Sequence, residues 1–183
     1  MKKFAENTFE KIGLNAGVLL NKFTSVEAIA DEDIIGATRG GSTITVPSTM
    51  RNISVDGVRG NTAESYVVDG WTPTFAFTLL TTDKVRTQMA LGVADITEDG
   101  KVIPRHTVKA EDFKDYYWVG ERSDGVAIVM CLKNAISTGG LSWRTTANGE
   151  VESSITLTGN YTTADQDTAP FWMQELVSAT AQS

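Results

Sequence analysis

Between Lys133 and Pro170 runs a cassette, KNAISTGGLSWRTTANGEVESSITLTGNYTTADQDTAP, that restricts the fold more than any other part of the chain. Asn148-Gly149 stands between two alternating stretches, the pattern of a two-residue type I′ turn. On the second stretch Val151, Ser153, Ile155 and Leu157 point one way, and Glu152, Ser154, Thr156 and Thr158 point the other. A period of two with one apolar side predicts a half-buried antiparallel sheet.

The same alternation recurs along the chain. Ser42 to Val46 places Thr43 and Thr45 on one side and Ile44 and Val46 on the other. Trp71 to Thr81 reads as a strand with Phe75, Phe77 and Leu79 opposite Thr74, Ala76 and Thr78, and Pro73 marks its beginning or an edge. Tyr116 to Glu121 and Val126 to Leu132 read as a hairpin about Asp124-Gly125, the second strand apolar on both sides and therefore central. Phe171, Trp172, Met173 and Leu176 close the pattern. Leu14 to Phe23 suits either a short helix or a strand, with Gly13 and Gly17 weakening the helix. The best helix runs from Asp83 to about Ala94, capped by Thr82 or Asp83, with Val85, Met89 and Val93 at i, i+4 and i+8. A further strand is expected over Lys101 to Thr107, after a turn at Asp99-Gly100. The fold class is mainly β: an antiparallel sandwich or partial barrel with one flanking helix.

Two segments stand outside this frame. Residues 1–12 read as a polar arm whose aromatics, Phe4 and Phe9, anchor either on a neighbouring surface or on the domain's own core. Pro47 to Gly70 is a long polar excursion with one strand-like patch at Tyr66 to Val68. Loops of this length are functional or disordered, and Met50, Ile53, Val55 and Val58 argue for one that orders against a partner. The domain proper is expected over 13–177, followed by a frayed tail at 178–183.

Composition excludes more than it assigns. The 183 residues carry a formal charge of −7, a poor basis for tight binding of duplex DNA, which needs clustered Lys and Arg. An acidic surface still suits a wall along which DNA slides. Cys131 is the sole cysteine, so neither an intrachain disulfide nor a cysteine zinc site is available, and a small buried residue is expected there. Met1-Lys2-Lys3 is followed by no apolar run, so neither a signal peptide nor a membrane span is expected, and the chain is read as staying in a cytoplasm until something moves it. Asn52-Ile53-Ser54 and Asn160-Tyr161-Thr162 then match the glycosylation pattern by chance.

Chemistry is sparse. His106, the only histidine, has no neighbouring nucleophile or orienting carboxylate in its spacing. Gly36 to Thr43 is glycine-rich but lacks the Lys-Ser/Thr ending of a phosphate loop, and so reads as a bend. Asp165-x-Asp167 reads as a turn before a cation site, and Asp31-Glu32-Asp33 as a solvated turn. No catalytic residue, metal or cofactor is expected.

Three segments carry a resemblance. AENTFEKIGLNAGVLL, IIGATRGGSTITVPSTMRNISVDGVRG, and LKNAISTGGLSW followed by ITLTGNYTTADQDTAPF together cover about half the chain. In that order they resemble the major tail tube proteins of tailed bacteriophages, particularly the long-tailed phages of Firmicutes; Ile96 to Trp118 has no match. The resemblance implies a structural, non-enzymatic subunit of the virion tail, assembled in the host cytoplasm. Six copies would form a ring, and stacked rings a conduit for DNA. Partners implied are further copies of itself, a tape-measure protein, a tail terminator, distal tail proteins and DNA in transit, with no membrane insertion. On this footing Arg39 to Ser54 and Trp71 to Thr81 supply the inner sheet, and Thr43, Thr45, Thr74 and Thr78 are the candidates for lining the bore. Contacts between rings fall to Phe4, Phe9, Met50, Arg51, Asn52, Ile53, Val58 and Arg59. The alternative is a β-sandwich module that binds a receptor or carbohydrate through Trp71, Trp118, Tyr116 and Tyr117.

Overall fold

A computed structural model describes residues 8–176; Phe4, the start of the arm and the expected frayed tail lie outside them. The described chain is mainly antiparallel β with one α-helix. Its strands are β1 (Gly13–Leu20), β2 (Thr38–Thr45), β3 (Ser48–Asn52), β4 (Tyr66–Trp71), β5 (Thr74–Leu79), β6 (Ala94–Ile96), β7 (Val102–Pro104), β8 (Lys114–Arg122), β9 (Ala127–Ser137), β10 (Trp143–Arg144), β11 (Glu152–Thr158) and β12 (Phe171–Leu176). Helix α1 covers Lys84–Leu91.

Strand order is β1-β8-β9-β11-β5-β2, with β12 on β9 and β10 on β11. β9 holds the two halves together. One of its edges pairs with β8; the other pairs first with β12, from Ala127 to Leu132, and then with β11 at Ile136 and Ser137. The barrel draws towards closure where Ile35 N–H donates to Leu19 C=O at 2.9 Å and Leu20 bridges Ile34. Between the halves lies the main core: Phe75, Phe77 and Leu79 from β5, Ile155 and Leu157 from β11, Leu19, Tyr116 and Leu132 from β1, β8 and β9, and Ala90 from the helix. Burying one such large side chain contributes about 1.5–3 kcal/mol. On the other side of β8 and β9, Val119 and Val129 pack with Leu20 under Phe23, Ile29 and Ile34. That coverage on both sides is why β9 is apolar throughout its first half, as its sequence predicts. Cys131 is fully buried, and burial pushes its thiol up to about 12.

Trp118 sets the path of β1. Its indole N–H donates to Ala16 C=O at 3.0 Å, and its ring lies 2.3 Å from where a Cβ on Gly17 would stand and 2.2 Å from one on Gly120. Asn15 and Gly17 have positive φ, and the β1–β8 register shifts between Leu14 and Val18. The two glycines therefore select a bulged strand, and the helical option for Leu14 to Phe23 falls away.

Five expectations are corrected. The helix is shorter than Asp83–Ala94: the Asp83 carboxylate caps the N–H groups of Val85 and Arg86, both at 2.8 Å, but Gly92 ends it at φ 74°. A Cβ at Gly92 would meet Ser137 O at 2.4 Å, so the chain turns there against β9 and Val93 is not helical. The Lys101–Thr107 strand shrinks to β7, paired with β6 around the Asp99-Gly100 turn, and leaves His106 exposed in a bend. Neither Asn148 nor Gly149 has positive φ, so the turn is not type I′. β10 separates from β11 beyond the Arg144–Glu152 pair, and the wide loop 145–151 does not require that geometry. Arg39–Ser54 is not one strand, because Pro47 divides β2 from β3. Finally, Pro47–Gly70 is not one loop but a β-hairpin, β3 against β4, with the loop confined to 53–65.

Candidate assembly surfaces

The last two corrections join into one object. Thr45 opposes Thr74 on β2 and β5, and Ser48 opposes Trp71 on β3 and β4. The register is therefore unbroken across the prolines, and Thr72 N–H donates to Pro47 C=O at 3.0 Å in between. Pro47 and Pro73 interrupt the ladder without shifting it, because each lacks an N–H. The result is one long ribbon whose first half is sheet wall and whose second half is a free arm.

On the wall half the outward side is small and hydroxyl-bearing. β5 turns Phe75, Phe77 and Leu79 inward and Thr74, Ala76 and Thr78 outward. Across from these stand Thr45, Thr43 and Arg39 of β2 on one side, and Thr158, Thr156 and Ser154 of β11 on the other. Thr43, Thr45, Thr74 and Thr78 thus share one outward face. Thr45 and Thr74 hydroxyls are hydrogen-bonded at 2.8 Å, and Thr138 and Thr158 at 3.1 Å. At one end Arg39 donates to Glu152 at 2.6 Å and Glu150 at 2.8 Å, with Arg144 3.8 Å from Glu152. Glu150 holds the Arg39 guanidinium above its ordinary range, and Arg39 holds Glu150 below its own. Two cations against two anions leave this face electrically balanced. The sequence candidates omitted Ser154, Ala76, Thr156 and Thr158; the alternation in β11 exposes that row, but only the β5–β11 pairing places it beside β5.

The arm has two unlike sides. Met50 opposes Val68 and Asn52 opposes Tyr66, so Met50, Val68 and Tyr66 share one mainly apolar face, with the Asn52 amide turned to the Ser65 hydroxyl. Met50 is 53% exposed, Tyr66 49% and Val68 47%. On the reverse, Arg51 pairs with Asp69 at 2.8 Å. The tip, 53–65, is held by Ile53 N–H donating to Ser65 C=O at 2.8 Å and by Asn52 donating to the Ser65 hydroxyl at 2.5 Å. Ile53, Val55 and Val58 are exposed there. β3 and β4 find their principal partner in each other, and the base is fixed where Trp71 N–H donates to the Tyr161 hydroxyl at 2.9 Å. Phe9 lies elsewhere, 69% exposed, with its carbonyl accepting from Ser123 Oγ. The ring-contact candidates therefore fall on two separate surfaces: Met50, Arg51, Asn52, Ile53, Val58 and Arg59 on the arm, and Phe9 beside the β8–β9 turn. Tyr66 and Val68, not among those candidates, complete the apolar face of the arm.

The aromatic platform of the alternative reading does not form. Tyr116 is in the core with its hydroxyl pushed up to about 12 by burial. Trp118 packs against that core, and Tyr117 packs edge-on to Trp172 at 6.3 Å between centroids. Asp165 and Thr162 close a local turn, with Thr168 N–H donating to the Asp165 carboxylate at 3.0 Å. Among the described residues no three His, Cys, Asp or Glu side chains converge as a metal site, and no helix is long and apolar enough to cross a membrane.

No family model matches the sequence, and no curated protein matches it. Among solved structures, the chain is similar to one from the tail of an empty GTA particle computed with helical refinement and C6 symmetry, at 10% identity and TM-score 0.44, over 80% of this chain and 92% of that one. It is also similar to one from the virion of a native gene transfer agent (GTA) particle, at 11% identity and TM-score 0.44, over 94% of this chain and all of that one. At this level neither transfers a residue role to this chain.

Proposed function

We propose that this chain is a self-assembling wall subunit of a phage-type tail tube, six copies to a ring and rings stacked into a DNA conduit. One observation carries the reading. A single ribbon combines an outward face of small hydroxyls, balanced in charge, with a projecting arm whose apolar side its own domain leaves uncovered. The first suits a passage that must not hold DNA; the second suits burial against a copy in the next ring. A contact of this kind joins unlike surfaces and so propagates a stack without closing on itself. Thr43, Thr45, Thr74 and Thr78 then line the bore, and Met50, Ile53 and Val58 meet the adjacent ring. The order of the three resembling segments supports the same reading, and with it the tape-measure, terminator and distal tail proteins as partners, in the virion and during assembly in the host cytoplasm.

Negative-stain electron microscopy of the purified chain, concentrated and beside a dilute control, tests the proposal. Hollow tubes or six-fold rings in the concentrated sample are the expected result. A uniform monomer that stays monomeric when mixed with a tape-measure protein would overturn it.

A further inference from the structure

We infer that the pocket between α1 and β8 receives the tip of the β3–β4 arm of a second copy, whose Asp56 is set on Lys114 and Tyr116. That the arm meets another copy rests on the function proposed above; where it seats follows from the pocket and the tip themselves. The pocket has a volume of about 300 Å³, and Ile35, Val85, Met89 and Ile136 form its apolar wall. Most of the charges around it are already committed. Arg86 donates to Ile35 C=O at 2.7 Å and Ile34 C=O at 3.0 Å, and pairs with Asp83 at 3.2 Å. Arg105 is held between Asp95 and Asp112, and Glu111 stands 3.4 Å from Lys109. Two groups of the lining remain. Lys114 is exposed and pairs with no carboxylate of the described residues. Tyr116, two residues on, is only 6% exposed, yet its hydroxyl makes no hydrogen bond to a described residue. Buried polar groups without a partner are rare in folded proteins. An ammonium and a phenol O–H opening on one apolar cavity call for a carboxylate with apolar neighbours.

The tip of the arm has that chemistry. Val58 N–H donates to Val55 C=O at 3.2 Å, closing a tight turn with Asp56 and Gly57 at its apex. Gly57 has φ 89°, which glycine adopts freely at the third position of such a turn. Val55 and Val58 on either side are 56% and 49% exposed, and Asp56 is exposed with no cation partner among the described residues. The turn therefore presents one carboxylate between two valines. Topology sets tip and pocket apart. β5 carries the arm at its Thr74 end and leads, past Leu79 at the other, into α1. β2 begins at Thr38, opposite Leu79 and three residues after Ile35. The tip and the α1 wall of the pocket thus belong to opposite ends of the β2–β5 pair. A knob at one end and a socket at the other join copies head to tail and leave each new copy with both still to fill. Seated, Asp56 accepts from the Lys114 ammonium and the Tyr116 hydroxyl, while Val55 and Val58 cover Val85 and Met89.

The test is disulfide trapping in the full chain. A Val58→Cys/Val85→Cys double variant is oxidised mildly and run on non-reducing gels; Cys131 is buried and does not compete. A ladder of linked dimers, trimers and longer species, forming faster as protein concentration rises, is expected. Mixing the two single variants should stop the ladder at dimers. Val58→Cys/Val18→Cys, whose second cysteine lies on β1 at a site 40% exposed, should link far more slowly. Asp56→Lys added to the first variant should slow the ladder roughly fivefold at low salt, and Lys114→Asp added to that should restore it. Tyr116→Phe should slow it about threefold, for loss of one hydrogen bond, with the thermal midpoint nearly unchanged. An intrachain disulfide, a ladder as fast through Val18→Cys, or a rate indifferent to the charge exchange would overturn the assignment. Trapping needs only two copies in contact, so it is read apart from the micrographs. Tubes without the ladder reject this seat alone, whereas the ladder without tubes supports the seat and counts against stacked rings.

Discussion

The Trp118 ring occupies the space that side chains at Gly17 and Gly120 would need, so three residues on two strands fix the bulge of β1 between them. Gly120→Ala should therefore destabilise the protein by about 1–3 kcal/mol through displacement of the ring, measurable as a lowered urea midpoint. Leu157 has no exposure at all, and Leu157→Asp buries a charge without a partner. Loss of cooperative folding is expected; a soluble variant with a sharp thermal transition would show that β11 has been assigned the wrong inner face. Asp112 makes a third case. Burial works upward on its carboxyl, but the Lys109 N–H and the Arg105 guanidinium outweigh that and hold it below its ordinary 3.8. A carboxyl depressed in the folded state stabilises fully above its unfolded pKa, and that contribution is lost as pH falls through the lower folded value. Hydrogen-exchange protection factors in residues 105–113, with the intrinsic rate's own pH dependence divided out, should stay flat between about pH 5 and 7 and fall only below 3.8.

Among elements, the arm is the decisive one. Its two strands lean on each other more than on the body, so replacing residues 53–65 by a short glycine-containing turn should leave the circular dichroism spectrum and thermal midpoint nearly unchanged. The same protein should no longer sediment as polymer at high concentration; unaltered polymers would remove the arm from the assembly contact. The sequence makes much of this architecture legible, and for local reasons. Phe75, Phe77 and Leu79 alternate with Thr74, Ala76 and Thr78 because one side of β5 is core and the other is not. The arm was hidden for an equally local reason. With both sides of β3 and β4 largely outside the core, alternation carries little hydrophobic contrast, and only Tyr66 to Val68 keeps a strand-like composition. The helix misled in the opposite way: Val85 and Val93 keep helical spacing, yet Val85 is 49% exposed and the helix stops before Val93. What no local pattern could supply is the neighbour relation between β5 and β11, which brings two hydroxyl rows into one face.

For the molecule as a whole, charge decides what the wall of the proposed tube would do with nucleic acid. The chain carries −7, yet the Thr face is close to neutral because Arg39 and Arg144 stand against Glu150 and Glu152. Such a surface neither attracts phosphate strongly nor repels it at close range. Thr74→Lys/Thr78→Lys should leave assembly intact, since both side chains are outside the core, while tubes of the variant retain duplex DNA at low salt and release it as salt rises. Tubes that remain indifferent to DNA would place these threonines away from the passage. The unbroken register through Pro47 and Pro73 carries a mechanical consequence for such a tube. Wall and arm are one piece of backbone, so from the bulge between Thr49 and Met50 downward a torque on the arm travels along strands in a single register to Thr45 and Thr74. In the proposed tube the arm would then act as a lever, coupling the twist between successive rings to the width of the channel.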